Sequence, residues 1–362
     1  MKHGERTREK LIKHYQDHPK LQMTDVFKYL YQSSFGCGHM VASEEGAADY
    51  ILREYADMSK PNIPLTEELD GEYSRASLEW LDLGLDGKTL GKLFFLSARE
   101  EKDGKNALLS KLEAAKTLVK ERSLPFSIDE FEASLLLWER NGYPAVRHSN
   151  EFREAYAPAY RVILTEYVKF LPFFARIDKG LKDSGSLTVA IEGGSASGKT
   201  TLAKLLASIY DCTVFHMDDF FLRPEQRTKQ RFLEVGGNVD RERFLDEVLL
   251  PLSEKKTVCY RPFDCGTQTL APFVSVEPKK LTFVEGAYSM HKELADFYDL
   301  SVFLDIEPEY QRKRILKRNS PPIAKRFFDE WIPMEREYFS KTDVANRCDM
   351  VIKIKGNVTL KG

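Results

Sequence analysis

The chain has 362 residues, more than one hydrophobic core usually organises, so two domains are expected. Hydrophobic residues make up 42% and charged residues 30%, as in ordinary globular proteins, and the formal net charge is only -2. This balance favours neither a nucleic acid nor a membrane surface as a partner. The first residues are charged and have no apolar core, so we expect no secretory signal there. The sequence has no apolar run near the roughly 20 residues that span a bilayer and no CxxC pair among its cysteines. We therefore expect a cytoplasmic protein.

The first half of the chain has a helical pattern. Apolar residues recur three and four positions apart, as in Leu11, Ile12 and Tyr15, and turns containing glycine or proline separate such segments. We predict a mainly α-helical domain over residues 1–179. His39 and His148 lie in two of the turns and are a candidate ligand-binding pair. The commoner alternative is that local hydrogen bonds satisfy each histidine, and the role of this domain stays open.

The second half, residues 180–362, alternates short apolar runs with helical patterns. The predicted strands are residues 187–191, 213–215, 281–284, 301–304 and 350–352. Buried parallel strands have such unbroken β-branched and aromatic runs, and strands separated by helices imply βαβ units. The first of these strands runs into a glycine-rich phosphate loop, residues 193–200. We therefore predict an α/β fold for this half: a parallel sheet of the P-loop NTPase type with helices on both faces, preceded by the helical domain.

A glycine-rich loop follows the first predicted strand and leads into a helical pattern. Backbone N–H groups in such a loop surround phosphate oxygens, and the helix N-terminus adds a positive dipole. Lys199 is placed to reach the β- and γ-phosphates, and the Thr200 hydroxyl is placed to bind Mg²⁺. We predict ATP and Mg²⁺ as cofactors, with the choice between ATP and GTP open. The nucleotide-binding residues are Gly193, Gly194, Ser195, Ala196, Ser197, Gly198, Lys199, Thr200 and Thr201.

Carboxylates follow the second and third predicted strands. Asp218 and Asp219 come soon after residues 213–215, and Glu285 follows residues 281–284. The carboxyl ends of parallel strands border the crevice where such sheets bind ligands. A carboxylate there can take the proton from an attacking hydroxyl, and another can help to hold magnesium. The alternatives are a solvated Asp-Asp turn and a strand-end acid that faces solvent.

A basic helical segment lies near the fourth predicted strand. Arg314 and Arg318 are four residues apart and share a helix face. Their guanidinium groups suit a transferring phosphoryl group, whose charge spreads over several oxygens. The alternative is an ordinary solvated helix face, but the phosphate loop upstream favours the catalytic interpretation.

Residues 186–355 resemble the uridine kinase family, whose relatives include phosphoribulokinase, nicotinamide riboside kinase and bacterial pantothenate kinase. The matching segments are residues 193–201, 218–221, 238–240, 284–286 and 303–305, with Arg314 and Arg318. The resemblance implies transfer of the ATP γ-phosphate to a primary hydroxyl, typically the 5′-hydroxyl of uridine or another ribonucleoside. It implies that Asp218 is the general base and that Glu285 helps to hold magnesium. It also implies that Asp240 binds ribose hydroxyls and that Tyr260 contacts the acceptor.

The sequence departs from the family in two places. Residues 319–328 lack the family's arginine- and glycine-rich lid, and the base-recognition residues after Tyr260 have no clear counterparts. Lys325 and Arg326 are candidate substitutes for the lid arginines, and the lid mechanism stays open. The acceptor therefore stays open between a nucleoside, a vitamin precursor and a sugar phosphate. An alternative from another class of function is a nucleotide-dependent switch, which has no phosphorylated acceptor. The expected partners are ATP and a small-molecule acceptor, without nucleic acid or membrane, and homo-oligomerisation stays open.

Overall fold

The computed structural model describes residues 3–38, 41, 43–99 and 104–355. It divides the chain into two compact units, the first ending at Ala175 and the second starting at Arg176. His39, one of the predicted histidine pair, lies outside the described residues. Across the described ranges, no helix combines the length and the apolar composition that crossing a bilayer requires.

The first unit is rich in helix. Its helices are α1 (His3–Asp17), α2 (Met23–Phe35), α3 (Glu44–Asp57), α4 (Gly87–Ala98), α5 (Gly104–Lys120), α6 (Ile128–Arg140), α7 (Asn150–Tyr156), α8 (Thr165–Val168) and α9 (Leu171–Ser184), which contains the boundary between the units. Serine side chains define the starts of α3, α6 and α7, because Ser43, Ser127 and Ser149 each accept a hydrogen bond from a backbone N–H three residues later.

The first unit also contains a small antiparallel sheet that the sequence analysis did not predict. Its strands are β1 (Thr66–Glu68), β2 (Tyr73–Ser77) and β3 (Tyr160–Leu164), in the order β1-β2-β3. All five residues of β2 are buried, including Ser74 and Arg75. A buried strand with polar side chains has neither an apolar run nor an alternating pattern, so the usual strand signal is missing.

The second unit is built on a parallel sheet. Its strands are β4 (Leu187–Gly193), β5 (Cys212–His216), β6 (Val258–Tyr260), β7 (Phe263–Asp264), β8 (Thr269–Leu270), β9 (Val274–Val276), β10 (Leu281–Glu285), β11 (Leu300–Ile306) and β12 (Met350–Ile354). Five of them form a parallel sheet in the order β12-β11-β4-β10-β5, and the others pair as β6-β9 and β7-β8. The five strands of the parallel sheet are those that the sequence predicted, so the α/β prediction is confirmed.

Helices flank this sheet and connect its strands. They are α10 (Lys199–Ile209), α11 (Lys229–Leu233), α12 (Arg241–Phe244), α13 (Leu250–Ser253), α14 (Pro308–Arg318), α15 (Pro321–Arg326), α16 (Ile332–Thr342) and α17 (Val344–Arg347). Glu285 of β10 is in register with Ile191 of β4 and with His216 of β5. The carboxyl ends of three neighbouring strands therefore meet at one edge of the sheet, which is where the phosphate loop begins.

Candidate active site

The phosphate loop joins the end of β4 to the start of α10. Gly193 has φ 149° and Gly198 has φ 106°, which are backbone conformations that favour glycine. A Cβ on Gly193 would lie 2.7 Å from the carbonyl oxygen of Leu304 on the neighbouring strand β11. Glycine is thus required there both by backbone conformation and by the close approach of two strands.

Lys199 is held over this loop. Its Nζ donates hydrogen bonds to the carbonyl oxygens of Gly193 (2.8 Å) and Gly194 (3.1 Å). The ammonium group therefore lies at the loop whose N–H groups would receive phosphate oxygens. This placement fits the predicted contact between Lys199 and the β- and γ-phosphates, which stays a prediction.

Two side chains from outside the loop hold its apex. The carboxylate of Glu335 on α16 accepts hydrogen bonds from the backbone N–H of Ser195 (2.9 and 3.1 Å) and from its hydroxyl (2.5 Å). Gln311 on α14 donates from its side-chain amide to the Ser195 carbonyl oxygen (2.8 Å). Burial raises the pKa of Glu335, and the positive charge of Lys199 opposes that shift. Neither Glu335 nor Gln311 was predicted from the sequence to belong to the site.

Thr200 and Glu285 form the candidate magnesium site. Thr200 Oγ1 donates to Glu285 Oε1 (2.9 Å), and Nδ1 of His216 lies 2.7 Å from the same oxygen. Burial alone would raise the pKa of Glu285, but the hydrogen bond from His216 and the charge of Lys199 hold it below its usual value. The same hydrogen bond raises the pKa of His216. Glu285 is therefore an ionised carboxylate at neutral pH.

The chemistry of these donors fits a magnesium ion. Mg²⁺ prefers oxygen ligands, and a hydroxyl beside an ionised carboxylate supplies two. Both hydrogen bonds to Glu285 fall on Oε1, so Oε2 keeps its lone pairs free of partners in the described part of the chain. The metal role of Thr200 and Glu285 stays a prediction, and their geometry supports it.

Asp218 and Asp219 lie on a 3₁₀ turn, Met217–Phe220, directly after β5. The side chain of Asp218 is exposed and has no hydrogen-bond partner among the described residues. Restricted hydration raises the pKa of Asp218 against the opposing charge of Lys199, and the Glu285 carboxylate raises it further. Among these acids, Asp218 is the carboxylate that is free to accept a proton.

Asp219 is engaged differently from its neighbour. Its Oδ2 accepts a hydrogen bond from the hydroxyl of Tyr260 (3.3 Å), and its carbonyl oxygen accepts one from Arg243 (3.1 Å). Tyr260 is buried and stacks on the ring of Phe220 at 5.3 Å. Tyr260 thus helps to position Asp219, and its predicted contact with the acceptor stays a prediction.

Asp240 is buried at the N-terminus of α12, where its Oδ1 accepts from the backbone N–H of Arg243 (3.3 Å). Its Oδ2 lies 3.4 Å from Nε of Arg243 and 3.8 Å from Nε of Arg223, yet it makes no hydrogen bond within the described residues. The residue borders a cavity of about 360 Å³ that is otherwise lined by polar side chains, among them Gln226 and Thr228. Two ion pairs therefore hold the Asp240 carboxylate at the border of this cavity, and its binding of ribose hydroxyls stays a prediction.

The two predicted arginines of α14 have different surroundings. Arg314 lies at the phosphate loop, with its guanidinium 3.5 Å from the carbonyl oxygen of Ser197. Arg318 lies one turn further along, with its guanidinium 6.0 Å from the centre of the Phe327 ring. The structure therefore brings Arg314 to the loop, whereas Arg318 contacts the segment that follows the helix.

Residues 319–328, which lack the lid sequence of the family, contain the helix α15. Lys325 forms an ion pair with Asp329, and Arg326 lies 3.2 Å from Glu330, each pair one helical turn apart. These pairs are exposed, so both basic side chains are engaged with neighbouring acids on the surface of the unit. Their role as lid residues stays a prediction.

Glu192, the residue before the phosphate loop, is another group that the sequence analysis missed. It is fully buried, and its carboxylate accepts hydrogen bonds from the N–H groups of Gly193 (2.8 Å), Tyr288 (3.1 Å) and Met290 (3.0 Å) and from the hydroxyl of Tyr338 (3.3 Å). Burial raises the pKa of Glu192 to about 7. The sequence feature that points to this site is an acidic residue at the end of an apolar strand. A carboxylate that is buried in such a place needs hydrogen-bond donors, as Glu192 has here.

These features define a fold class: the second unit is a parallel α/β sheet of the P-loop type, with a phosphate loop between β4 and α10. Residues 188–321 match the profile of the Phosphoribulokinase / Uridine kinase family. The resemblance found in the sequence is thus confirmed for the carboxyl-terminal half. No curated protein sequence matches the chain to a significant degree.

Several solved structures are similar to the second half of the chain. One is described as a "possible uridine kinase" from Bacillus stearothermophilus, with 24% identity, a TM-score of 0.38, and coverage of 49% of this chain and 97% of that one. A shikimate kinase from Bacteroides thetaiotaomicron matches with 14% identity, a TM-score of 0.26, and coverage of 46% and 85%. A shikimate kinase from Aquifex aeolicus matches with 21% identity, a TM-score of 0.24, and coverage of 48% and 89%.

Proposed function

We propose that this protein transfers the γ-phosphate of ATP to a hydroxyl group of a small metabolite, with the 5′-hydroxyl of uridine or another nucleoside as the first candidate acceptor. The observation that carries this proposal is the exposed, unpaired carboxylate of Asp218 within electrostatic range of Lys199 and Glu285. A switch that only binds or hydrolyses nucleotide has no need for a base placed to deprotonate an acceptor alcohol.

Each predicted residue has a role in this reaction. Asp218 takes the proton of the acceptor hydroxyl, and the raised pKa of its carboxyl makes it a better base than an ordinary aspartate. Lys199 and Arg314 stabilise the negative charge on the transferring phosphoryl group, and Arg318, one turn further along α14, is the third positive charge in this role. Thr200 and Glu285 would hold Mg²⁺, which neutralises charge on the β- and γ-phosphates when it is bound.

The acceptor pocket is proposed to lie along Asp240 and Tyr260. Asp240, held by Arg223 and Arg243, borders a cavity of about 360 Å³ whose lining residues all carry polar side chains, which suits a ribose hydroxyl. Tyr260 holds Asp219 next to the proposed base. This arrangement supports a hydroxyl-rich acceptor, which a nucleoside, a sugar phosphate or a vitamin precursor provides.

An ADP-release screen tests the proposal. Ribonucleosides, nicotinamide riboside, pantothenate and sugars are each offered with ATP and Mg²⁺, Lys199→Ala serves as the blank, and mass spectrometry detects the phosphorylated acceptor. We expect ADP release that depends on a ribonucleoside and yields its monophosphate. A phosphorylated vitamin or sugar would correct the acceptor, whereas nucleotide turnover without any phosphorylated product would overturn the kinase proposal in favour of a switch.

A further inference from the structure

A buried cluster of two histidines and one carboxylate lies in the first unit, among residues that the proposed kinase chemistry does not use. His14 lies in the last turn of α1, His18 directly follows the last residue of that helix and donates its backbone N–H to the His14 carbonyl oxygen (2.9 Å), and Glu67 lies on β1. One candidate ligand atom from each of the three lies within 4.8 Å of the other two. Both histidines are only 2% exposed. This is a set of metal-binding groups gathered from two elements.

The hydrogen bonding of His18 leaves one ring nitrogen for a ligand. Its Nδ1 lies 3.1 Å from the carbonyl oxygen of His14, and a carbonyl only accepts, so Nδ1 carries the proton and Nε2 has the lone pair. Burial lowers the pKa of His18, and the nearby His14 lowers it further, so the ring is neutral at physiological pH. Metal-binding histidines have this arrangement, in which the nitrogen that is not on the metal donates to a carbonyl or carboxylate.

His14 has an unsatisfied nitrogen on the buried side of the cluster. Its Nδ1 lies 2.6 Å from Glu67 Oε1, and its Nε2 is buried without a hydrogen-bond partner among the described residues. The hydroxyl of Tyr29 is unsatisfied in the same way, and the Tyr29 ring lies 4.8 Å from the His14 ring. Buried polar atoms without partners are rare, so their presence on two side chains whose rings lie next to each other favours a bound group.

Glu67 is held in the form that binds cations. Burial would raise its pKa, but Arg75 and the two histidines hold it well below the usual range of a glutamate. Arg75 donates to Oε2 (2.9 Å) and is itself anchored by the side chain of Gln32 (2.8 and 3.0 Å). Oε1 therefore faces His14. When Oε1 binds a metal ion, Arg75 remains paired with the other oxygen, Oε2.

We propose that His14, His18 and Glu67 bind a divalent transition-metal ion, with Zn²⁺ as the first candidate. Two imidazole nitrogens and one carboxylate oxygen form a ligand set that suits zinc. A tetrahedral ion about 2.1 Å from each ligand keeps the ligand atoms roughly 3.4 Å apart, so small side-chain rotations complete the site. The ion cross-links α1 to β1 and stabilises the first unit.

Metal binding by the full-length protein tests this proposal. The protein is stripped with a chelator and titrated with Zn²⁺ or Co²⁺ in the presence of excess Mg²⁺, which keeps the phosphate-loop site occupied. We expect one ion per chain by elemental analysis and a melting temperature that rises with the metal concentration. The Co²⁺ spectrum should lack a thiolate charge-transfer band, because none of the five cysteines belongs to the cluster.

His18→Asn isolates the ligand nitrogen. The asparagine amide keeps a donor close to the place of Nδ1, for the bond to the His14 carbonyl, and removes Nε2. We expect this variant to fold and to bind the ion more than about tenfold more weakly. His291→Asn, at a buried histidine of the second unit, is the control and should bind like the wild type. Folded wild-type protein that binds no ion, a thiolate-type Co²⁺ spectrum, or unchanged affinity in His18→Asn would each overturn the proposal.

Discussion

Glu335 holds the apex of the phosphate loop, because its carboxylate accepts hydrogen bonds from both the backbone N–H and the hydroxyl of Ser195. Glu335 is 5% exposed, and its carboxylate lies within electrostatic range of the Lys199 ammonium. ATP brings further negative charge to the same loop. Glu335 thus orders the backbone that binds phosphate and at the same time opposes the charge of the nucleotide.

Glu335→Gln separates these two effects. The amide keeps an oxygen that accepts from Ser195 and removes the negative charge. We expect the KM for ATP to fall by about threefold to tenfold. The free energy that corresponds to this change is a fraction of the Coulomb energy between two charges near a protein surface. We expect Glu335→Ala to lower kcat as well, because Ser195 then loses its acceptor. Steady-state kinetics at varied ATP concentration measures both effects.

Glu337→Gln is the matched control for the charge of Glu335. Glu337 lies on the same helix but is exposed and pairs with Lys341 (2.6 Å), so its loss should leave the KM for ATP unchanged. If Glu335→Gln instead raises the KM, the ordering of the loop by the carboxylate outweighs its repulsion of phosphate.

Asp218→Asn tests the proposed base. We expect turnover to fall by roughly 10²–10⁴-fold while ATP affinity stays close to that of the wild type, because an amide cannot take the proton. Since the pKa of Asp218 is raised, kcat/KM of the wild type should fall with acidification already above the usual range of an aspartate. Turnover and nucleotide affinity are measured over a pH series.

Asp219→Asn is the comparison for Asp218. Asp219 accepts from Tyr260, so its loss should disturb packing and cost less turnover. Near-normal turnover in Asp218→Asn, or an unchanged acid limb of its pH profile, would show that another group takes the proton.

The parallel sheet could be predicted from the sequence because its strands have a local signal. Residues 281–284 and 301–304 are continuous apolar runs, as expected for strands buried on both faces. The antiparallel sheet of the first unit had no such signal. Tyr73–Ser77 is buried with a charged Arg75 inside it, and its partner Tyr160–Leu164 lies far along the chain. Only the folded chain supplies the partners that make this strand stable.

The candidate site also contains some residues that the sequence predicts and others that it does not. The loop residues, Asp218 and Glu285 lie at strand ends, where local sequence predicts position at the crevice. Glu335 and Gln311 come from helices distant in sequence, and no spacing links either to Ser195. Residues that reach the site through tertiary contacts therefore cannot be predicted from the pattern of one sequence, even when they contact the phosphate loop itself.

The Thr200 hydroxyl is predicted to be a magnesium ligand. Thr200→Val removes the hydroxyl with little change of shape, and we expect it to raise the Mg²⁺ concentration needed for half-maximal turnover by about tenfold or more. Thr200→Ser restores the hydroxyl and should restore the Mg²⁺ dependence. A Mg²⁺ titration of activity at saturating ATP measures the effect, and equal Mg²⁺ dependence in all three proteins would rule out this ligand.

Glu192 should make stability depend on pH. Burial raises the pKa of its carboxyl to about 7 in the folded protein, whereas the usual value is 4.5, so we expect the folded state to bind more protons between these two pH values. The contribution to stability is complete below the lower pKa and is lost as the pH rises through the higher one. A difference of this size corresponds to about 3 kcal/mol.

Glu192→Gln should abolish this pH dependence, because an amide does not ionise. We expect the free energy of unfolding of the wild type to fall with rising pH over this range, while that of the variant stays comparatively flat. Urea denaturation at a series of pH values measures the slopes, and Glu337→Gln, which changes an exposed carboxylate, should keep the wild-type slope. If Glu192→Gln also keeps the wild-type slope, the prediction is wrong. The proton released on unfolding then comes from another group, and Glu192 is ionised in the folded protein.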